Sequence, residues 1–95
     1  MARASRQMQE ALAELESRGA TIIAQPESAN EALMILRDIG PQRVGGRYHC
    51  GYWRQTYTVQ AIEVDGWRWR ITVRWQDGST TTHSTRWDYR RDSAA

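Results

Sequence analysis

Arg68, Arg70 and Arg74 recur at even spacings inside Trp67 to Gln76, WRWRITVRWQ. Side chains two or four residues apart on a strand leave the same face, so this pattern gathers three guanidinium groups. Such a set suits a polyanion, because each planar fork of donors can bridge phosphate oxygens, and neighbouring aromatic rings can stack on unpaired bases. Two Asp-Gly pairs, Asp65-Gly66 and Asp77-Gly78, predict two-residue hairpin loops that set the partners. Around Asp77-Gly78, Arg74 faces Thr81, Thr72 faces His83, Arg70 faces Thr85 and Arg68 faces Trp87. Around Asp65-Gly66, Val64 faces Trp67, Glu63 faces Arg68, Ile62 faces Trp69, Ala61 faces Arg70 and Tyr57 faces Arg74. The predicted nucleic-acid contact set is therefore Arg68, Arg70, Arg74, Tyr57, His83 and Trp87. A plainer account makes the same residues structural, with Arg74 on Tyr57 and Arg68 on Trp87 as cation–π pairs and Glu63 neutralising Arg68.

A second constellation is aromatic. Tyr48, Tyr52, Trp53, Trp87 and Tyr89 are candidates for a cage around a methylated cation, which needs about three rings. Packing at the core and rim is the competing account. Enzyme chemistry has little to build on. His49 and Cys50 are adjacent in a strand and point to opposite faces, so they form no dyad, while Cys50 with His83 is geometrically open. Two histidines and one cysteine without close spacing make a poor metal set. Gly40 to Gly46, GPQRVGG, matches no phosphate-cradling loop. The expectation is a protein that is not an enzyme and uses no cofactor or metal.

The chain has 95 residues and a net charge of +2, unevenly spread. Residues 1–42 carry four Arg against six Asp and Glu, and residues 43–95 carry nine Arg against five. Lys is absent. The basic half favours an anionic partner, or simply solubility. A single cysteine excludes an intrachain disulfide, and no apolar run suggests a signal peptide or a membrane span. A cytoplasmic protein of one domain is expected, with no membrane partner.

The positioning elements follow from periodicity. Residues 5–18 read as a helix with Met8, Leu12 and Leu15 as a narrow stripe and Gly19 as its stop. The stripe would pack on the rest of the chain or form the seam of a homodimer, and the narrowness favours the dimer. Ala20 to Gln25 is β-prone and suits a sheet edge. Ser28 and Glu31 form a capping box for a second helix, with Ala32, Leu33, Leu36 and Ile39 as its apolar face, widened by Met34 and Ile35. So much apolar surface implies burial on more than one side. Gly45-Gly46 marks the passage into the β half.

Strands are expected at Arg47 to Trp53, Gln55 to Val64, Trp67 to Gln76 and Ser79 to Trp87, with a short fifth piece at Asp88 to Arg91. In the third, Trp67, Trp69, Ile71, Val73 and Trp75 form the buried side. One conflict stands: Tyr57, Val59 and Ala61 fall on the Arg face. A strongly curved barrel, or a helix over part of that face, would accommodate them. Residues 92–95 are expected to fray.

Short strands, tight hairpins, a glycine-preceded aromatic first strand and a terminal Trp87-Asp88-Tyr89 segment make residues 44–91 resemble an SH3-like or Tudor-like barrel. The resemblance is architectural. It implies a small closed antiparallel barrel, and for Tudor-like members a methyl-cation cage. The acidic cluster of SH3 peptide grooves is absent, and the first 42 residues lie outside the module. The chain also resembles small actinobacterial and mobile-element proteins, which implies no activity. The expected fold is α+β, a small antiparallel SH3-like barrel preceded by a helix–strand–helix element. The expected function is a nucleic-acid-binding module. The alternative is a protein-interaction adaptor using the first helix or the aromatic barrel end.

Overall fold

The computed structural model describes residues 5–95. Helix α1 spans Arg6–Ser17, and Ser5 caps it by accepting a 3.0 Å hydrogen bond from the Met8 amide. Its end is a Schellman turn: the Gly19 amide donates to the Glu16 carbonyl at 2.9 Å and the Ala20 amide to the Leu15 carbonyl at 3.0 Å. Helix α2 spans Ala29–Ile39. The Ser28 hydroxyl accepts from the Glu31 amide, and the Glu31 carboxylate reaches back one residue further than a capping box requires, to the Glu27 amide.

The two helices close on each other. Met8, Ala11, Leu12 and Leu15 of α1 and Ala32, Ile35 and Ile39 of α2 are all buried in one core with the sheet. The α1 stripe is thus covered by its own chain, and it is not free to serve as the dimer seam expected of Met8, Leu12 and Leu15. The buried face of α2 is also narrower than expected. Leu33 and Met34 are about half exposed, because Ala32, Ile35 and Ile39 point inward with Leu36 half-buried beside them.

Six strands form one sheet: β1 Thr21–Ala24, β2 Arg47–Cys50, β3 Gln55–Asp65, β4 Arg68–Trp75, β5 Thr80–His83 and β6 Ser93–Ala94. The order is β5-β4-β3-β2-β6, antiparallel throughout, with β1 added parallel to β3. Because β4 follows β3 over its length, β1 shares the opposite edge of β3 with β2. The α+β class with an antiparallel sheet holds. The sheet is open, with β5 and β6 at its two ends, where a closed barrel was expected.

Long β3 carries the feature that organises the core. Val59 pairs with Val73 and Ala61 with Thr72, so Gln60 is an extra residue in the ladder. A bulge of this kind exchanges the two faces of a strand beyond it. It puts Tyr57 and Val59 on the same side as Ile62 and Val64, and all four are buried. The conflict over Tyr57 and Val59 disappears, since neither lies on the Arg face. In β4, Trp69, Ile71 and Val73 point inward as the alternation requires, while Trp67 is 63% exposed in the hairpin loop.

Both hairpins differ in register from the expectation. At the first, Asp65 pairs with Arg68, so the loop is Gly66-Trp67, with a positive φ at Gly66 and none at Trp67. That is the pattern of a type II′ turn, and it moves the partners by two residues as far as Ala61, and by one beyond the bulge, where Tyr57 faces Trp75 in place of Arg74. Glu63 faces Arg70, and Arg68 faces Asp65. At the second, the Gly78 amide bonds to the Trp75 carbonyl at 2.9 Å and the Trp75 amide to the Ser79 carbonyl at 2.8 Å. This three-residue loop with Gly78 at φ 91 shifts register by one. A one-residue slip turns every side chain over, so Thr81 and His83 join the inward side and Thr80 and Thr82 the Arg side.

Two expected strands are short. β2 ends at Cys50, where the chain turns through residues 51–54, and β5 ends at His83. The C-terminal segment crosses the first of these turns so closely that a Cβ on Gly51 would lie 2.2 Å from the Arg91 carbonyl oxygen. Residues 92–95, expected to fray, instead supply β6. Tyr48 pairs with Ala94 and His49 with Ser93, and the Ala95 amide reaches the Arg47 carbonyl at 3.0 Å. Ser93 and Ala94 are held by backbone pairing, and the Asp92 side chain fastens the start of the strand to Tyr57 and the Gly51 amide, contacts that no periodicity of the segment announces.

Candidate nucleic-acid interface

The predicted contact set is divided between two faces. Arg68, Arg70 and Arg74 are exposed on the outer face of β4. Arg70 is held by Glu63 through two hydrogen bonds, 2.8 Å from Nε to Oε1 and 3.3 Å from Nη2 to Oε2. That bond, with the positive charge of Arg70, keeps the Glu63 carboxyl below its ordinary range. The register change thus makes Arg70, and not Arg68, the partner of Glu63. The Arg68 guanidinium lies 4.9 Å from the centre of the Trp67 ring, its aromatic neighbour in place of Trp87.

Tyr57 is 1% exposed, so its ring cannot stack on a ligand. Its hydroxyl donates to Asp92 Oδ2 at 2.6 Å and accepts from Gln42 Nε2 at 3.1 Å. Burial first, then the Asp92 contact, push the phenol well above its usual range. His83 and Trp87 lie on the inward side, with ring centres 5.2 Å apart. The Trp87 indole donates to the Ile39 carbonyl at 3.1 Å, and its edge-on partner is Tyr57 at 5.6 Å.

The cage candidates are likewise dispersed. The Tyr48 hydroxyl accepts from the Arg43 amide, and the Tyr89 hydroxyl donates to the Arg37 carbonyl. Tyr52 and Trp53 stay together as an edge-on pair 4.9 Å apart, 69% and 63% exposed. They stand in the turn after β2, at the rim of a cleft of about 620 Å³. Trp75, Trp87 and His83 line the same cleft, with Tyr57 and Cys50 among its other lining residues. What the structure assembles is therefore a mixture of the two predicted sets, Tyr52 and Trp53 from the cage, His83 from the nucleic-acid contacts and Trp87 from both.

The charge on this cleft comes from the turns between β5 and β6. Arg86, Arg90 and Arg91 line it with Asp88 and Asp92. Asp88 takes both arms of Arg90 at 3.0 Å, and chiefly that contact lowers its carboxyl to about 2. Asp92 accepts from Tyr57 and from the Gly51 amide. Among the described residues, Arg86 and Arg91 have no ion-pair partner. Burial holds His83 below its ordinary value, so it is neutral at pH 7 and adds no charge. The uncompensated charge of the cleft is positive.

Trp75 connects this cleft to a smaller groove of about 380 Å³ that holds Arg47 and Arg74. Trp75, Arg86, Arg91 and Arg47 were not singled out from sequence. Trp75 was assigned to the core by its parity with Trp69 and Val73. The Arg90-Arg91 doublet after Trp87-Asp88-Tyr89 was the one available sign of a basic rim. Cys50 lines the cleft as a buried free thiol, its sulfur 3.4 Å from the Trp53 amide. His83 Nε2 instead contacts Thr81 Oγ1 at 2.7 Å. No group of three or more His, Cys, Asp or Glu among the described residues is arranged to hold a metal ion, and no described helix is long and apolar enough to cross a membrane. Compared with known proteins, the chain matches no family, no curated protein and no solved structure.

Proposed function

We propose that the protein is a non-enzymatic module that binds single-stranded nucleic acid in the aromatic cleft between the turn at 51–54 and the turns at 84–92. The observation that carries this reading is the exposed Tyr52–Trp53 pair beside two unpaired guanidinium groups, Arg86 and Arg91. Rings offer stacking surface to unpaired bases, and the Arg side chains offer phosphate contacts. Arg47 and Arg74 extend the same basic track past Trp75. A duplex hides its base faces, so the cleft favours a single strand.

A methyl-cation cage has less support, because the rim is positive and Tyr48 and Tyr89 are engaged elsewhere. An SH3-like or Tudor-like relationship belongs to the same proposal. It is supported by the meander β2–β5 with β6 returned to the first strand of that meander, an order that a partly closed barrel would need. The test is a titration of labelled oligothymidylate and of a duplex of equal length, roughly a dozen nucleotides, at about 50 and 200 mM salt. Preference for the single strand with loss of affinity at the higher salt supports the proposal. No binding of either by the folded protein rejects it.

A further inference from the structure

The second concave surface adjoins the first at His83, which lines both, and has a different chemistry. β4 pairs with β3 from Arg68 to Trp75, but β5 covers only Ile71 to Arg74 on the other edge. At Ser84 the chain bends out of strand pairing, and Ser84 and Thr85 go on to line a groove beside it. Among the described residues, the stretch Arg68–Trp69–Arg70 therefore has one open edge, to which Trp69 turns its amide and carbonyl, as Trp75 does toward Ser79 on the same edge. An open strand edge is a template for another strand, unless something blunts it.

Beside this notch runs a groove of about 940 Å³. Ile23, Met34 and Trp67 line it at 53%, 51% and 63% exposure, with Ile35 and Trp69 buried beneath. Three large apolar side chains exposed in one place mark a contact surface more often than chance exposure. The border is acidic. Glu31, Asp38 and Asp65 stand on it; Glu63 is neutralised by Arg70, and Arg68 is the remaining cation, over Trp67. Asp38 has Arg37 at 3.4 Å, an exposed contact of little strength. This surface would repel a polyanion, in contrast to the aromatic cleft.

We infer that the notch takes an extended segment of another protein as a short added strand, with an apolar side chain and a Lys or Arg two positions apart. Such a segment continues the line of β5 along the edge of β4. Residues two apart on it point to the same side, so one side chain enters the groove against Met34 and Trp69 while the other meets the carboxylates of the border. The free run limits pairing to about three residues, roughly 10 Å of strand. The interaction is accordingly weak and easily reversed.

The probe is the blocked, labelled heptapeptide serine–leucine–threonine–arginine–threonine–leucine–serine, which reads alike in both strand directions. Its control is the same peptide methylated at alternate backbone nitrogens. Fluorescence anisotropy should give saturable binding below about 1 mM, at least about tenfold weaker for the methylated peptide. The paired substitution Met34→Ser and Asp38→Ser, both on the outer side of α2, should weaken binding by a similar factor with the melting profile preserved. Arg86→Ala with Arg91→Ala should leave it unchanged, which separates this site from the nucleic-acid reading. Absence of binding at 1 mM, or equal binding of the methylated peptide, overturns the inference. A doubling of mass in the peptide-free protein, abolished by Met34→Ser, would make a second copy the occupant and overturn it as well.

Discussion

Tyr57 and Asp92, 35 residues apart, are joined by a 2.6 Å hydrogen bond that ties the end of the chain to the centre of the core. The phenol leaves the bulged part of β3, and the carboxylate precedes β6. Gln42 donates to the same hydroxyl, and Asp92 also accepts from Gly51. Tyr57→Phe keeps the ring and removes the hydroxyl. It leaves Gln42 without its partner and Asp92 with one donor fewer, so a loss of about 1–3 kcal/mol is expected in denaturant unfolding. Removal of residues 92–95 should cost a similar amount, because it takes away the same bond and the β6 ladder. A truncated protein as stable as the full chain would contradict this.

The bulge at Gln60 makes a sharper demand. Its side chain is exposed, so Gln60→Ala should change stability little. Deleting the residue removes the unpaired position and leaves Tyr57, Val59, Ile62 and Val64 alternating on one side, in register with Trp75, Val73, Ile71 and Trp69. The deletion variant should therefore keep a cooperative thermal unfolding transition. Loss of that transition would show that the bend at the bulge is itself required by the core.

Trp69 anchors the inward face of β4 with Ile71 and Val73. Trp69→Ala should cost about 3–5 kcal/mol, comparable with the whole stability of a domain of this size. Loss of near-ultraviolet circular dichroism and of a cooperative melt would follow.

Protonation of His83 sets a pH dependence. Burial lowers its folded value below 6.5, so the unfolded chain takes up the proton first as pH falls. Its effect is absent well above 6.5 and grows as pH falls through 6.5 toward the folded value, destabilising the protein. Melting temperatures between about pH 7.5 and 5.5 should fall more for the wild type than for His83→Gln. The lowered carboxyls of Glu14 and Glu63 act below the ordinary glutamate value of 4.5, outside this window. Parallel profiles for the two proteins would remove the assignment.

Much of the frame was legible because it rests on local chemistry. Ser5, Gly19 and Ser28 bound the helices, and Trp69, Ile71 and Val73 alternate without interruption. The register was not, since an Asp-Gly pair is compatible with more than one loop, and the choice between them moved His83 to the opposite face. Nothing in QTYTVQAIEV distinguishes Gln60 from its neighbours. The only trace of the bulge was that Tyr57 and Val59 stood on a face too polar for them. The cleft was legible in composition but not in place, because Tyr52, Trp53, Arg86 and Arg91 meet only after two turns and the β6 strand bring 51–54 and 84–92 together.

The most direct test of the nucleic-acid reading compares two double variants on one labelled oligothymidylate. Arg86→Ala with Arg91→Ala removes the unpaired cations of the cleft, and Arg68→Ala with Arg70→Ala removes the two cations at the hairpin end of β4, of which Arg70 is paired with Glu63. Affinity is measured across salt from about 50 to 200 mM. The cleft variant should bind more weakly, with its logarithmic salt slope reduced by about 1.4, two phosphates at roughly 0.7 each. The β4 variant should retain the wild-type slope. Equal slopes for the cleft variant and the wild type, with both proteins folded, would contradict the cleft as the contact surface.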